Sequence, residues 1–312
     1  METDILSLKY IMSQTSLPIP RIHGYSCEDN NTLGHPYTLM DKIHGTRLID
    51  VWNDPAWWTG ERSKERFLAS LAEAMVELAS LEFDQIGRLE RPGPDAPYHI
   101  GPFPPRRDAN SGEVVEPRGP YNSTYAYFSH ELSFERRKRK CGELAMLQLF
   151  MGALLDARFD SAPFSFGHPD FDSQNVFVDD TGRLVGLIDW DGVSVLPRQL
   201  GALTYPNWLT VDWNPTMYDY YKEFPNYDTE EELHAYRQMY TKCIRAASGG
   251  RFDAITRNSH LVSTLYLAIT EIVCMTGMTF RLGEFIFCST AATDRGSCLP
   301  SSIARGLLAL LK

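Results

Sequence analysis

The spacing of apolar residues predicts a mostly helical chain with a few short strands. One helix is expected over 4–13, where four apolar side chains share a face: Ile5, Leu8, Ile11 and Met12. A longer amphipathic helix is expected over 63–81, from Phe67, Leu68, Leu71, Met75, Leu78 and Ala79. Further helical patterns cover 122–159 in two pieces, then 215–224, 229–247, 252–281 and 301–312.

The strand signals lie near the start and the middle of the chain. Residues 37–43 follow a Gly-His-Pro turn and predict a strand that ends at His44 and Gly45. Residues 175–178 and 183–188 flank the turn sequence Asp-Asp-Thr-Gly, which predicts a β-hairpin. Residues 91–120 hold eight of the 19 prolines, so a long irregular surface segment is expected there.

Composition describes a globular protein with a sizeable core. The 312 residues are 43% hydrophobic and 22% charged, and this length allows one large domain or two smaller ones. No apolar run approaches the roughly 18 residues of a membrane helix, and the acidic start shows no secretory signal. Six cysteines without C-x-x-C spacing indicate reduced thiols in a cytoplasmic protein, without zinc.

The charge balance bears on partners. A formal net charge of −10 argues against a nucleic-acid binder and suits a cationic substrate. The basic run at 136–140 lies inside a helical pattern, which favours a solvated helix face over a nuclear localisation signal. Three tryptophans, Trp52, Trp57 and Trp58, favour core packing over a cation-binding cage.

The chemistry concentrates in residues 166–190. His168, Asp170 and Asn175 stand at H-x-D-x-x-x-x-N spacing, and Asp189 follows at the end of an apolar run. Phosphoryl transfer to a hydroxyl uses one carboxylate to orient the hydroxyl and accept its proton. An amide oxygen and a second carboxylate suit Mg²⁺, which takes few protein ligands. The ordered set therefore predicts Asp170 as the base, with Asn175 and Asp189 as metal ligands.

Each residue alone has a simpler interpretation. An isolated Asp170 would be an Asx-turn residue, and Asp189 a turn residue at the end of a strand whose apolar run is expected to bury both faces. His168 is expected to brace the loop through a backbone hydrogen bond near Asp189. Asp172 and Asp191 are expected either to contact the metal indirectly or a cationic substrate, or to be solvated.

An iron site is an alternative interpretation of the same histidine. His168 and Asp170 form two thirds of a facial iron triad, and His234 with Arg245 has the spacing of the remaining oxygenase residues. Those two residues lie in a helical pattern, however, and an oxygenase barrel would need a strand there. This hypothesis also leaves Asn175 without a function.

At these residues the chain resembles the aminoglycoside phosphotransferase-like family, especially its large fungal branch. The motifs are residues 168–175 and 186–192, supported by 36–45 and 83–89, and the resemblance runs from about residue 4 to beyond 210. It implies an α+β, protein-kinase-like fold: an incomplete small N-lobe with hinge over 1–45, and a mainly helical C-lobe over 46–312 that carries the catalytic hairpin.

The resemblance also implies a function and its site. The expected activity is an ATP- and Mg²⁺-dependent transfer of phosphate to a hydroxyl of a small molecule, and the acidic balance of the chain favours a cationic one. Asp170 would be the catalytic base, Asn175 and Asp189 the Mg²⁺ ligands, with His168 and Asp191 in support. The backbone at Met40, Asp41, Lys42 and Ile43 would contact the nucleotide base. No nucleic-acid or membrane partner is expected, and the oligomeric state stays open.

The sequence departs from the family at its start. Kinase-like folds place a Gly-rich strand pair and a phosphate-binding lysine before the first helix, and only three residues precede that helix here. Lys9 lies in the helix and Lys42 in the hinge, while Glu2 or Asp4 is the nearest match to the acid that pairs with the lysine. Three explanations stay open: a shortened sequence, a weakly active enzyme, or a kinase-like binding module without catalysis.

Overall fold

The structure is a computed structural model that describes residues 1–105, 118–135, 141–224, 226–271 and 275–293. The basic run at 136–140 and the helix predicted over 301–312 lie outside the described residues, as does 106–117 of the predicted irregular segment. The described residues form ten α-helices, ten short strands and four short 3₁₀ turns.

Helices begin and end the described part of the chain and also lie between the strands. In chain order they are α1 (Glu2–Gln14), α2 (Leu48–Val51), α3 (Lys64–Ala79), α4 (Thr124–Glu135), α5 (Cys141–Leu154), α6 (Pro215–Tyr221), α7 (Glu230–Ala247), α8 (Asp253–Thr256), α9 (Ser259–Thr270) and α10 (Met275–Thr293). The strands are β1 (Ile22–Ser26), β2 (Tyr37–Met40), β3 (Thr46–Arg47), β4 (Glu82–Phe83), β5 (Arg88–Glu90), β6 (His99–Gly101), β7 (Phe164–Gly167), β8 (Val176–Val178), β9 (Leu184–Leu187) and β10 (Ser194–Leu196).

The strands pair antiparallel in four small sheets. Strands β1 and β2 form one ribbon, and β5 and β6 form another. The order β10-β7-β4 makes the third sheet, and β3-β8-β9 the fourth. The fourth sheet contains the predicted hairpin, so the residues that carry the chemistry sit on a three-stranded support.

Side-chain caps define where two long helices begin. The Ser63 side chain accepts a hydrogen bond from the backbone of Arg66 at the start of α3. At the start of α7, Thr229 and Glu232 form a reciprocal capping box. The apolar face of α3 then lies fully buried in the core, through Phe67, Leu68, Leu71, Met75 and Leu78.

One buried hydrophobic cluster joins the early segment to the rest of the chain. Leu8 and Ile11 of α1 belong to the same cluster as Leu48 and Phe67. The first helix therefore packs on the main body. The division of the chain at residue 45 stays a prediction.

Three predicted elements differ from the structure. The strand expected over 37–43 ends at Met40, because the chain then turns onto the hairpin. The helical pattern over 252–281 is broken into α8, α9 and the start of α10. Part of the segment predicted to be irregular forms β6, which pairs with β5 through Leu89 and Ile100.

Candidate functional site

The register of the hairpin brings two of the predicted residues to one end of it. Val176 of β8 lies opposite Leu187 of β9, and the Ile188 backbone N–H donates to the Asn175 carbonyl at 3.0 Å. Asn175 therefore stands beside the residue that precedes Asp189. Asn175 and Asp189 are fourteen positions apart in the sequence, and the pairing of β8 with β9 brings their backbones close together.

Two amide side chains donate to Asp170 and so hold the loop before the hairpin. The Asn175 Nδ2 group donates to the Asp170 carboxylate Oδ2 and to its backbone carbonyl, both at 2.9 Å. Gln174 Nε2 donates to the same Oδ2 at 2.8 Å. These contacts leave Asp170 Oδ1 and the Asn175 amide oxygen outside the network, and those are the atoms that a hydroxyl and a metal ion would use.

His168 braces this loop against the end of β9. Its Nε2 donates to the Ile188 carbonyl at 2.8 Å, and its Nδ1 accepts from the Asp170 backbone N–H at 3.2 Å. Burial lowers the pKa of His168 to about 4, so the ring is neutral at physiological pH. The expected backbone hydrogen bond near Asp189 is thus present. Both ring nitrogens have backbone partners, which argues against iron ligation.

Asp189 sits in a turn with unusual backbone geometry. Its φ angle is +63°, a left-handed conformation that few residues other than glycine adopt. The next residue, Trp190, is buried and donates its indole N–H to the Leu187 carbonyl at 3.1 Å, which anchors the turn. The expectation that a buried strand makes Asp189 costly was wrong, because the Asp189 and Asp191 side chains are both exposed.

Helix α1 is tied to this turn by a buried carboxylate. Asp4 Oδ1 accepts from the Gly192 backbone N–H at 3.0 Å and from the guanidinium of Arg88. Burial alone would raise the pKa of Asp4, but the amino terminus, Arg88 and Gly192 together hold it below its usual value. The acid of the first helix is therefore paired with an arginine of β5 and with the turn that follows Asp189.

The predicted hinge residues follow β2 and reach the hairpin at Ile43. The Asp41 backbone N–H donates to the Arg21 carbonyl at 3.0 Å, and the Asp41 and Lys42 side chains are exposed. Ile43 packs on the hairpin, since a Cβ at Gly186 would lie 2.4 Å from its Cδ1 atom. Met40, at the end of β2, is half-buried.

A cavity of about 700 Å³ lies beside the loop that carries Asp170. Its walls include the neighbours of Asp170 on both sides, Pro169 and Phe171, and also Gln174. Asp172 lines it too, accepting from the Ser173 backbone N–H at 2.6 Å, and burial raises the pKa of its carboxyl. The far wall comes from distant parts of the sequence: Trp52, Asn53, Arg118, Trp208, Asp228 and Tyr266.

The sequence did not predict this cavity. Asn53, Trp208 and Asp228 belong to no sequence motif. The one sequence feature near any of them was the cluster of Trp52, Trp57 and Trp58, which was interpreted as core packing. That interpretation holds for Trp52, which is 4% exposed and belongs to the core. The roles of the other predicted site residues stay predictions.

The donors present suit a magnesium ion better than a more demanding metal. Across the described ranges, no three His, Cys, Asp or Glu side chains come together as a metal cluster. The Asn175 amide oxygen and the Asp189 carboxylate are hard oxygen ligands at one end of the hairpin. Mg²⁺ accepts such a small protein set when phosphate oxygens and water complete its shell.

The fold and this arrangement define a kinase-like phosphotransferase domain. Residues 7–236 match the family described as "Phosphotransferase enzyme family", so the chain belongs to that family. The apo form of a thermostable mutant of aminoglycoside phosphotransferase APH(4)-Ia shares the fold, with a TM-score of 0.50 at 15% identity; the match covers 94% of this chain and 85% of that one.

Two curated relatives are longer than the matched region. Clavilactone A biosynthesis cluster protein Y of Ampulloclitocybe clavipes is 22% identical over 236 residues, which cover 68% of this chain and 54% of that protein. Altered inheritance of mitochondria protein 9, mitochondrial, of Candida glabrata is 27% identical over 103 residues, covering 28% and 16%. The chain thus spans about half the length of the first relative and far less of the second.

None of the helices that the structure describes combines the length and the apolar composition needed to cross a bilayer.

Proposed function

We propose that this chain transfers the γ-phosphoryl group of ATP, bound with Mg²⁺, to a hydroxyl of a small molecule. The observation that carries the proposal is the convergence of Asp170, Asn175 and Asp189. Asn175 donates to the Asp170 carboxylate, and its carbonyl accepts from the backbone of Ile188, the residue before Asp189; this supports placing a carboxylate, an amide oxygen and a second carboxylate at one site. Family membership supports the same class of reaction.

Asp170 would orient the acceptor hydroxyl and take its proton. Gln174 and Asn175 both donate to Oδ2, which holds the carboxylate and leaves Oδ1 to accept the hydroxyl. As the new P–O bond to the acceptor oxygen forms, the bond to the ADP leaving group breaks and the hydroxyl proton goes to Asp170.

Asn175 and Asp189 would hold Mg²⁺, which supplies charge neutralisation on the phosphates when bound. His168 would keep the two segments in register, because it contacts the backbone of both Asp170 and Ile188. The exposed Asp191 is available for an outer contact through water. The backbone of 40–43 would meet the base of the nucleotide.

Calorimetric titration with ATP, with and without Mg²⁺, tests this proposal directly. Saturable binding that requires Mg²⁺ is expected. Asp189→Asn should abolish the Mg²⁺-dependent part, while Asp170→Asn should bind Mg-ATP and lose turnover. If Asp189→Asn binds Mg-ATP as well as the parent, the metal assignment is wrong.

An assay of ADP release, run beside this titration, separates the alternative of a kinase-like binding module. Such a module would bind nucleotide or another ligand in a folded sample and release no ADP with any hydroxyl acceptor. Asp170→Asn would then have no measurable consequence, since the parent chain itself would not turn over.

A further inference from the structure

The acidic composition of the chain suggests a cationic acceptor, but the charged residues in the walls of the cavity beside Asp170 do not. If the proposed function holds, this cavity receives the acceptor molecule, because Gln174 lines it and donates to Asp170 at 2.8 Å. A cationic acceptor would need carboxylates or open aromatic faces in the walls. The partners of each charged wall residue decide whether the cavity offers them.

Three of the four charged side chains among the described wall residues already have an ionic partner within the chain. Asp228 pairs with Lys64 at 3.3 Å and accepts the Trp52 indole N–H at 2.6 Å. Arg88 pairs with Asp4. Arg118 pairs with Glu131, which is completely buried.

The fourth charged wall residue is Asp172. It caps the short 3₁₀ turn Ser173–Asn175 through its own backbone neighbour. Asp172 is therefore the one carboxylate without an ion pair among the described wall residues. Apart from the proposed base Asp170, a polycation would find no second unpaired carboxylate in these walls of a cavity of about 700 Å³.

Two aromatic rings of the wall already hold one of the chain's own cations. The Lys64 ammonium lies 4.2 Å from the centre of the Trp52 ring, and also 4.5 Å from that of Tyr236 outside the wall. The Arg118 guanidinium lies 5.3 Å from the centre of the Phe103 ring. At these two wall rings an incoming ammonium would have to displace a side chain that is already hydrogen-bonded or ion-paired.

Neutral polar atoms, by contrast, remain unsatisfied in the wall. The Trp208 indole N–H and the Asn53 side-chain carbonyl are buried and have no hydrogen-bond partner among the described residues. Trp52, next to Asn53 in sequence, packs edge-on against Trp208 at 6.0 Å between ring centres. Both atoms are shielded from solvent, so a bound molecule can pair with them only after the side chains shift. Such pairing would recover the cost of about 1–3 kcal/mol that an unpaired buried donor or acceptor carries.

We propose that the cavity selects a neutral, ring-containing hydroxy compound, and that the Trp208 and Asn53 side chains shift on binding so that Trp208 donates to an oxygen of the acceptor and Asn53 accepts from one of its hydroxyls. The walls supply apolar contact through Phe171, Trp208 and Leu200. Charge pairing within the chain disfavours polycationic acceptors, because most of the charged wall residues already have a partner. Trp208 and Asn53 are the residues that determine this specificity, and the acidic surface charge has no part in it.

Acceptor binding can be measured without nucleotide, which separates this inference from the proposed function. Four probes are titrated by calorimetry: arbutin, a neutral aromatic glucoside; kanamycin, a polycation; and the matched pair tyrosol and tyramine, which differ by a hydroxyl and an ammonium group. Arbutin should bind at least about tenfold more tightly than kanamycin, and tyrosol more tightly than tyramine.

Two variants assign the contacts. Trp208→Phe keeps the ring and removes the donor, and Asn53→Leu removes the acceptor; each should weaken arbutin binding at least about fivefold. Trp57→Phe is the matched control, because Trp57 does not line the cavity, and it should leave arbutin binding unchanged. Circular dichroism of each variant checks that it is folded.

Several outcomes would overturn the inference. These are tighter binding of kanamycin or tyramine, no binding of either neutral probe at millimolar concentration, and parental arbutin affinity in both variants. If a sample binds Mg-ATP and no neutral probe, the specificity inference fails and the proposed function stands. If arbutin binds and Mg-ATP does not, the cavity inference stands and the phosphotransferase proposal fails.

Discussion

Asn175 donates its amide group to both the carboxylate and the backbone carbonyl of Asp170, each at 2.9 Å. This pair joins the end of the loop to its middle, five residues earlier. Since Asn175 is 5% exposed, the contact is sheltered from water and fixes which amide atom points away from Asp170. The predicted metal ligand is therefore also a structural clamp on the predicted base.

Replacing that clamp should affect stability and binding together. Asn175→Leu keeps most of the volume and leaves the Asp170 oxygens without their donor, so we expect a loss of about 1–3 kcal/mol in the free energy of unfolding. Mg²⁺-dependent ATP binding should be lost as well. Urea unfolding and calorimetry measure the two effects. Gln174→Ala, at an exposed neighbour on the same carboxylate, should change stability by less than about 0.5 kcal/mol.

The positive φ angle at Asp189 predicts an order of stability among its variants. Glycine adopts φ near +63° without strain and alanine does not, so Asp189→Gly should be about 1 kcal/mol more stable than Asp189→Ala. Both variants lack the carboxylate and should lose Mg²⁺-dependent nucleotide binding equally. Equal unfolding free energies for the two would contradict the turn geometry.

Gly186 and Ile43 should be coupled. A Cβ at Gly186 would approach the Ile43 Cδ1 to 2.4 Å and Cγ2 to 2.9 Å, so Gly186→Ala should cost about 1–3 kcal/mol of stability. Ile43→Ala makes room, and the double variant should therefore lose less than the sum of the single losses.

The control for this pair is Gly24→Ala. Gly24 also lies in a strand, but nothing stands within 4 Å of its added Cβ, so the unfolding free energy should hardly change. Strict additivity of the Gly186 and Ile43 variants in urea titrations would show that the hinge segment does not pack on the hairpin.

The buried His168 should make stability depend on pH. Its pKa is about 4 in the folded chain and about 6.5 unfolded, so between these values the unfolded state binds more protons. The fold is fully favoured above pH 6.5 and loses up to about 1.4 kcal/mol per pH unit as the pH falls toward 4.

Urea titrations between pH 7 and 4.5 measure this slope. His168→Gln removes the titrating ring and should flatten the slope in this window. The slope that remains includes His260, whose pKa burial lowers to about 3. If the variant keeps the full parental slope, His168 is not held neutral in the folded chain.

Local sequence patterns predicted part of the candidate site. The turn sequence Asp-Asp-Thr-Gly and its flanking apolar residues predicted the hairpin. Pairing with fixed register then brought Asn175 beside Ile188, the residue before Asp189. The exposure of Asp189 was not predictable, because an apolar run indicates burial of the strand and gives no information on the turn that follows. The break of the 252–281 pattern was also not predictable, because buried apolar residues recur on both sides of it, as at Ile255 in α8 and Leu261 in α9.

The sequence by itself determined the family motif, the hairpin, α1, α3 and α7, because each depends on residues close together in the chain. Only the tertiary structure decided the partners of the charges. Lys64 meets Asp228 across 164 residues, and Asp4 meets Arg88 across 84. The net charge of −10 suggested a cationic substrate, yet it says nothing about which charges are already paired. Pairing depends on packing between distant segments, and periodicity along the chain does not record it.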